Sequence, residues 1–118
     1  MPATDLKKTL DSSKELEITV TGRKTGKKIT LPIWFVKGGG KLLLLPVQGS
    51  DTNWYRNIKH SPTMGISAAG TSITVKAKPM GSTERAKAVV EKFRAKYGAA
   101  DVKKYYSRFD ASVEVTLP

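Results

Sequence analysis

The 118-residue sequence contains no cysteine. That excludes a disulfide framework, a thiolate metal site and a thiolate nucleophile. It has one histidine, His60, so a multi-histidine metal centre is excluded and any Ser-His-acid triad would have to use that residue. His60 stands in His-Ser-Pro just past an expected helix, where a structural role at the helix end is the ordinary reading. The ten acids are scattered and show no metal-ligand spacing. No Walker loop or dinucleotide fingerprint follows a strand, and Gly38-Gly39-Gly40 has no helix after it. Leu42 to Leu45 is the most apolar run and is far too short to cross a bilayer. Met1 to Lys8 lacks the apolar stretch of a signal peptide. These absences predict a soluble, cytoplasmic protein, with residues 1–118 forming one domain large enough for its own core. With the usual catalytic constellations missing, an enzymatic role would rest on a held cofactor.

Acidic residues are also scarce relative to basic ones: 21 Lys and Arg against 10 Asp and Glu give a formal net charge of +11. Such a balance attracts polyanions, whether nucleic acid, an anionic membrane surface or a multiply charged small ligand. The cations concentrate at 23–28, 85–96 and 103–108. The last two clusters fall in expected helices, where cations commonly line the wet face. The first is different. Thr21 to Lys28 holds Arg23, Lys24, Lys27 and Lys28, two glycines and no acid between two expected strands. A hairpin tip needs a glycine or two and some polar residues. Four cations suit either a solvated tip or an anion site, in which Gly22 and Gly26 admit the backbone, Thr25 donates a hydroxyl and Arg23 and Lys24 supply charge.

Periodicity organises the remainder. Residues 4–13 can form a short helix with Leu6 and Leu10 on one side. Strands are predicted at 15–21, with Leu16, Ile18 and Val20 inward, and at about 28–37, with Pro32 marking an edge or bulge. Gly38-Gly39-Gly40 turns into a third strand, 41–47, apolar on both faces and ended by Pro46. Ser50 or Asp51 can cap a short helix running to about Ile58. A second hairpin, 63–68 and 72–79, turns at Ala69-Gly70-Thr71. Ser82 opens the longest helix, in which Ala86, Val89, Val90, Phe93 and Tyr97 share a face, and Gly98 closes it. A further helical stretch carries Val102, Tyr105, Tyr106 and Phe109, and 111–117 returns as a strand. This order predicts a mainly β, α+β protein: a small antiparallel barrel with helices packed outside.

Two further groups can wall a ligand site. At Pro46 to Ser50 a buried strand breaks into a glycine-bearing loop, where free backbone amides could meet a planar heterocycle or an anion. Trp34, Trp54, Tyr55, Tyr97, Tyr105 and Tyr106 are aromatic residues that serve a core as readily as a ligand. Trp34 lies on the strand face opposite Ile33 and Phe35, so it must cover a helix, a partner chain or a ligand.

Gly22-Arg23-Lys24-Thr25-Gly26 followed by Pro32, then Gly49-Ser50-Asp51-Thr52-Asn53-Trp54-Tyr55-Arg56-Asn57 and Ser61-Pro62, resembles the deazaflavin-dependent nitroreductase family. That family belongs to the split-barrel flavin and deazaflavin oxidoreductases, with motifs GRKSG…P and W-Y-x-N…NP. The resemblance spans about Glu15 to Ala77, and Val113 to Pro118 is similar to the family's closing strand.

The resemblance implies a split β-barrel, FMN-binding-like, that holds coenzyme F420 or, in related branches, FMN. It would place the cofactor's phosphate and acidic tail on Arg23, Lys24 and Thr25. The ring would lie along Pro46, Val47, Gln48 and Gly49, with Trp54 and Asn57 beside it. It makes Tyr105 and Tyr106, with Tyr97, candidates for the substrate side, where a hydroxyl would protonate the reduced acceptor. Ile29 stands where members often carry an arginine, and Lys28 beside it is the candidate substitute. The implied reaction is hydride transfer from the reduced deazaflavin to a small quinone, enone or nitro acceptor, with no metal. A non-enzymatic cofactor or ligand carrier on the same barrel is the alternative, and a basic nucleic-acid-binding barrel a minor one. The tryptophans are not interleaved with cations on one strand face, which counts against nucleic acid. A homodimer and contact of the basic surface with a membrane are left open.

Overall fold

The computed structural model describes residues 10, 13–38, 40–68 and 70–116. Period-two alternation sets the first strand: β1 (Glu15–Thr21) buries Leu16, Ile18 and Val20 and leaves Glu15 and Glu17 exposed. The cationic hairpin leads into β2 (Lys28–Gly38) and a glycine turn into β3 (Lys41–Leu44). A single 3-10 turn at Gly49–Asp51 precedes α1 (Asn53–His60). Then come β4 (Thr63–Ala68), β5 (Thr71–Met80), α2 (Thr83–Tyr97), α3 (Ala99–Tyr105) and β6 (Ser112–Thr116). All neighbouring strands are antiparallel, and they close a six-stranded barrel in the order β1-β2-β3-β6-β5-β4. This is the split-barrel α+β fold.

Two long strands make the corners of the barrel. β2 pairs with β1 from Lys28 to Trp34 and with β3 from Phe35 to Gly38. β5 pairs with β4 up to Lys76 and with β6 from Ala77 onward. Strands that change partners in this way let one sheet turn into the next. Pro32 accordingly sits in the half of β2 that is laddered on one side only, the edge position its missing N–H requires.

The core has two compartments. Inside the barrel, Leu16, Ile18, Val20, Phe35, Leu42, Leu44, Met64, Ile66, Val113 and Val115 meet. Trp54, Tyr55 and Ile58 of α1 join this interior cluster, so α1 is part of the barrel's filling and not only an outer layer. Outside, Val89, Val90 and Phe93 of α2, Val102 of α3 and Tyr106 cover Leu45, with Trp34, Val36 and Leu43 packed alongside. Ser82 caps α2 by accepting the Arg85 N–H, and Gly98, at φ 95°, ends it.

Several expected boundaries shift. β3 ends at Leu44 and not at Val47, because the chain turns at Leu45-Pro46 toward the 3-10 turn. Neither Ser50 nor Asp51 caps α1. Its N-cap is Thr52, whose hydroxyl instead accepts the Gln48 N–H at 2.8 Å. α3 stops at Tyr105, so Tyr106 and Phe109 lie beyond it in extended chain. Of the expected helix at 4–13, residues 4–9, 11 and 12 lie outside the described residues; Leu10 is buried in the barrel core.

Tyr97 serves the β2 corner. Its ring stacks on Trp34 with centroids 4.2 Å apart and planes 7° from parallel. Its hydroxyl accepts the Phe35 N–H at 3.1 Å and lies against the carbonyls of Phe35, at 2.8 Å, and Lys14. Burial pushes the phenol up to about 12 from 10.0. A raised folded value means that stability is intact below pH 10 and falls as pH rises toward 12. Tyr97→Phe strands the Phe35 amide, so urea unfolding at pH 7 should show a loss of about 1–3 kcal/mol. The variant should also lose part of the wild type's decline above pH 10. Unchanged stability at both pH values would show that water serves Phe35 equally well.

Candidate functional site

A cleft of about 770 Å³ lies on the open side of β2. That volume lies within the range of small-molecule and cofactor sites. One wall is β2 itself, through Ile29, Leu31, Ile33 and Trp34 with Val20 of β1 beside them. The opposite wall is Leu45, Val47 and Gln48 with Asn53, Trp54 and Asn57 of α1, and Tyr105 and Tyr106 close one end. The large hydrophobics left exposed among the described residues are Ile29, Val47 and Tyr105, at 45%, 39% and 54%, and all three line this cleft. These exposed apolar groups are thus gathered at one recess and not scattered singly over the surface.

The residues expected to form the site divide. Val47, Gln48, Trp54, Asn57, Tyr105 and Tyr106 meet in the cleft. Arg23, Lys24, Thr25, Lys28, Pro46 and Gly49 are not among its lining. Arg23 is nevertheless fixed beside it: its guanidinium donates to Asn57 Oδ1 at 2.8 Å, and its backbone N–H reaches the same oxygen at 3.2 Å. The hairpin is thereby tied to α1, and one cation is held at the cleft edge. Lys24 and Thr25 are exposed on the tip, where Thr25 Oγ1 accepts the Lys27 N–H at 3.3 Å. Lys28 Nζ donates to Thr21 Oγ1 at 2.7 Å, and the β1–β2 register runs unbroken through Thr21↔Lys28 and Val20↔Ile29. With no bulge, Ile29 enters the lining and Lys28 does not. Lys87, Lys92, Arg94, Lys103 and Lys104 on α2 and α3 are exposed.

The loop before α1 differs from expectation. Its amides are not free: Gln48 N–H goes to Thr52 Oγ1 at 2.8 Å, Gly49 N–H to the Pro46 carbonyl at 3.1 Å and Ser50 N–H to Asp110 Oδ1 at 2.9 Å. Ser50 Oγ also donates to Asp110 Oδ2 at 2.6 Å. Arg108 bridges Asp110, at 3.2 Å, and Asp51, at 2.6 Å, while Arg56 also meets Asp51 at 2.9 Å. The hydrogen bond from Ser50, and then its backbone amide and the Arg108 charge, hold the Asp110 carboxyl below its usual range against the opposing effect of burial. Gly49 has φ +58°, and a Cβ there would stand 2.0 Å from Asp110 Oδ1. Its requirement for glycine is a close approach to Asp110 and not to a ligand. No local pattern in the sequence points to Asp110 or Arg108, because sixty residues separate Ser50 from Asp110.

Chemically, the cleft offers flat apolar walls, two phenols, the amides of Asn53, Asn57 and Gln48, one carboxylate (Glu15) and a cation at its edge. Tyr106 is buried, and burial raises its phenol, so the hydroxyl stays protonated at neutral pH. Burial likewise raises Tyr55, with the Asp110 charge adding to it. No group of three or more His, Cys, Asp or Glu able to hold a metal ion occurs among the described residues. No helix among them is long and apolar enough to cross a membrane.

A family model described as "Uncharacterized protein conserved in bacteria (DUF2255)" matches residues 5–116. Among solved structures, one described as an F420-H2 dependent reductase (FDR-A) is 24% identical with a TM-score of 0.64, covering 86% of this chain and 93% of its own. A putative pyridoxamine 5'-phosphate oxidase from Listeria innocua is 9% identical with a TM-score of 0.69, covering 99% and 94%. HutZ, a heme storage protein from Vibrio cholerae, is 13% identical with a TM-score of 0.69, covering 98% and 88%. At these identities the likeness is one of fold.

The Asp110 network makes two expectations. Gly49→Ala should cost more than the ~1–3 kcal/mol of local backbone strain, because the collision with Asp110 adds to it, and thermal unfolding will show it. Asp110→Asn should flatten the acid limb of stability. The depressed carboxyl contributes stability above its usual 3.8 that is lost as pH falls through the lower folded value. An acid limb unchanged in the variant would remove Asp110 from this role.

Proposed function

We propose that this chain, which belongs to the DUF2255 family of bacterial proteins, is a split-barrel oxidoreductase that holds a deazaflavin or flavin. The group would lie in the cleft between β2, α1 and α3, and the chain would serve hydride transfer to a small electron-poor acceptor. The observation that carries the reading is the coincidence of three features in one cleft. Its exposed apolar rim suits a planar ring, Trp54 and Tyr105 supply aromatic walls, and Arg23 is clamped on the cleft-lining Asn57. The motifs from Gly22 to Pro62 support coenzyme F420 ahead of FMN.

The residues present fit the ring better than the phosphate. Apolar side chains of β2 and the Leu45–Gln48 segment would sandwich a planar heterocycle, and the Gln48 side chain can meet its polar edge. The anionic tail would meet Arg23, pre-positioned by Asn57, with Lys24 and Lys27 reaching from the exposed tip. Bidentate guanidinium contacts suit phosphate, and a fixed Arg loses less freedom on binding than a mobile one. Pro46 and Gly49 act behind this surface by shaping the loop. When bound in reduced form, such a group supplies the hydride. The chain's own part is to bind it, orient it, shield it from water and present a protonated phenol. Tyr105 is the more exposed of the two and Tyr106 the buried one.

A non-enzymatic carrier using the same cleft is the second reading; the Gln48, Gly49 and Ser50 amides are engaged within the chain and would not orient a ring in either case. A heme ligand finds no histidine in the cleft lining, since His60 ends α1 and is exposed there. β2 before Trp34, laddered on one side only, is where a second copy would add if the protein dimerises.

The purified chain should change the fluorescence of oxidised F420, or the absorption of FMN, saturably at micromolar concentration. It should also speed oxidation of reduced F420 by a quinone. Arg23→Ala with Lys24→Ala should weaken that binding by about tenfold or more, as loss of charge-assisted contacts does. Binding without turnover across quinones, enones and nitro compounds would select the carrier. No binding of either cofactor would end the proposal.

A further inference from the structure

The cleft is electrically uneven along its length. Its lining holds no lysine or arginine among the described residues, and its one carboxylate is Glu15. Glu15 opens β1 opposite Trp34, whereas Val20, toward the other end of the strand, pairs with Ile29. Five residues of antiparallel strand separate the two pairs by roughly 17 Å. Arg23, Lys24, Lys27 and Lys28 all belong to the Val20 end, whereas at the other end Lys104 Nζ stands 5.3 Å from the Tyr105 ring centroid, outside the cleft lining.

The Glu15 end is aromatic. Trp34 carries Tyr97 stacked at 4.2 Å and meets Tyr105 edge-on at 5.5 Å. Glu15 and Trp34 are cross-strand partners, so their side chains leave the same face of the sheet, and both line the cleft. Burial is the main reason that the Tyr97 phenol is raised, and the Glu15 charge adds to it. Lys96 also approaches Tyr97, at 5.1 Å, but its Nζ is engaged on the Phe35 carbonyl at 3.0 Å and stands 3.6 Å above the Phe35 ring. It is not among the cleft lining.

A carboxylate set beside indole and phenol rings is the arrangement that recognises an organic cation: the oxygens accept its N–H groups and the ring faces attract its charge. We propose that Glu15, Trp34 and Tyr105 form a subsite for a planar, N–H-bearing organic cation, so that the cleft takes ligands with their positive end at Glu15 and any anionic end at Arg23. This rests on the cleft being the ligand site and adds the class of acceptor that it favours. A chain of net charge +11 should, by its general field, favour anions. A preference for a cation must therefore be local.

That contrast supplies the test. 2-Naphthamidine, 2-naphthamide and 2-naphthoate share one ring system and differ in charge, and Trp34 and Trp54 line the cleft as fluorescent reporters. The wild-type chain should bind the amidine about three- to tenfold more tightly than the amide, the scale of one exposed ion pair with a cation–π contact. Glu15→Gln should reduce that difference, leaving at most the cation–π part. Glu17→Gln, which removes the same charge from the same strand outside the cleft lining, should leave it in place. Circular dichroism and thermal unfolding would check that both variants keep the wild-type fold. Tightest binding of the naphthoate, no quenching by any of the three, or equal effects of the two substitutions would overturn the subsite. The cofactor reading stands or falls on the F420 and FMN titrations, so either can fail alone.

Discussion

The barrel depends on how its two long strands change partners. A strand that leaves one ladder for another exposes an amide and a carbonyl at the switch, and buried backbone groups left unpaired are costly. In β5 the switch falls at Ala77, whose N–H goes to the Pro62 carbonyl at 2.8 Å. In β2 it falls at Phe35, where the Tyr97 hydroxyl takes the N–H and meets the carbonyl, with Lys96 Nζ on the same oxygen. One side chain from the end of α2 thus stands in for a missing strand residue. The same side chain stacks on Trp34, which lines the cleft. The corner that lets the barrel close and the Trp34 wall of the cleft are therefore coupled through a single phenol.

Local chemistry made much of this legible. β1 reads correctly because Leu16, Ile18 and Val20 alternate with polar residues, and α2 because its apolar residues recur between a capping Ser82 and a closing Gly98. Pro32 marks a one-sided ladder for a reason that belongs to proline alone. The strand pattern leaves Trp34 to cover a helix, a partner or a ligand; it covers Tyr97 at the end of α2 and also lines the cleft. What could not be read is chemistry between distant residues. Nothing near Tyr97 indicates that its hydroxyl patches Phe35, sixty-two positions away. Nothing near Gly49 indicates that Asp110 occupies the space of its missing Cβ. The loop after β3 therefore reads as a set of free amides, when in the fold those amides are spent on Asp110, Thr52 and Pro46.

The cationic hairpin gains a more definite meaning from Asn57. A solvated tip needs no partner on α1, yet Arg23 contributes both its backbone N–H and its guanidinium to one carboxamide oxygen there. That contact crosses from the β1–β2 turn to the helix that fills the barrel, so it sets the mouth of the cleft as well as the position of a charge. It also separates the cluster by function: Arg23 is anchored, Lys28 is paired with Thr21, and Lys24 remains exposed on the tip.

Charge and shape then act at different ranges. The excess of cations spread over the hairpin and the two C-terminal helices produces a field that draws anions toward the molecule from beyond contact distance, weakening as salt screens it. Inside the cleft no lysine or arginine lines the walls among the described residues, so selection there falls to flat apolar surface, two phenols and one carboxylate. A ligand that satisfies both must carry its anionic part outward, to the rim where Arg23 waits, and its ring inward between β2 and the Leu45–Gln48 segment. A compact anion gains from the field but meets no lysine or arginine in the walls among the described residues. A neutral ring fits the walls but gains nothing from the field. The cofactor proposed for this cleft answers to both: a planar head between flat walls and a charged tail at the cationic rim.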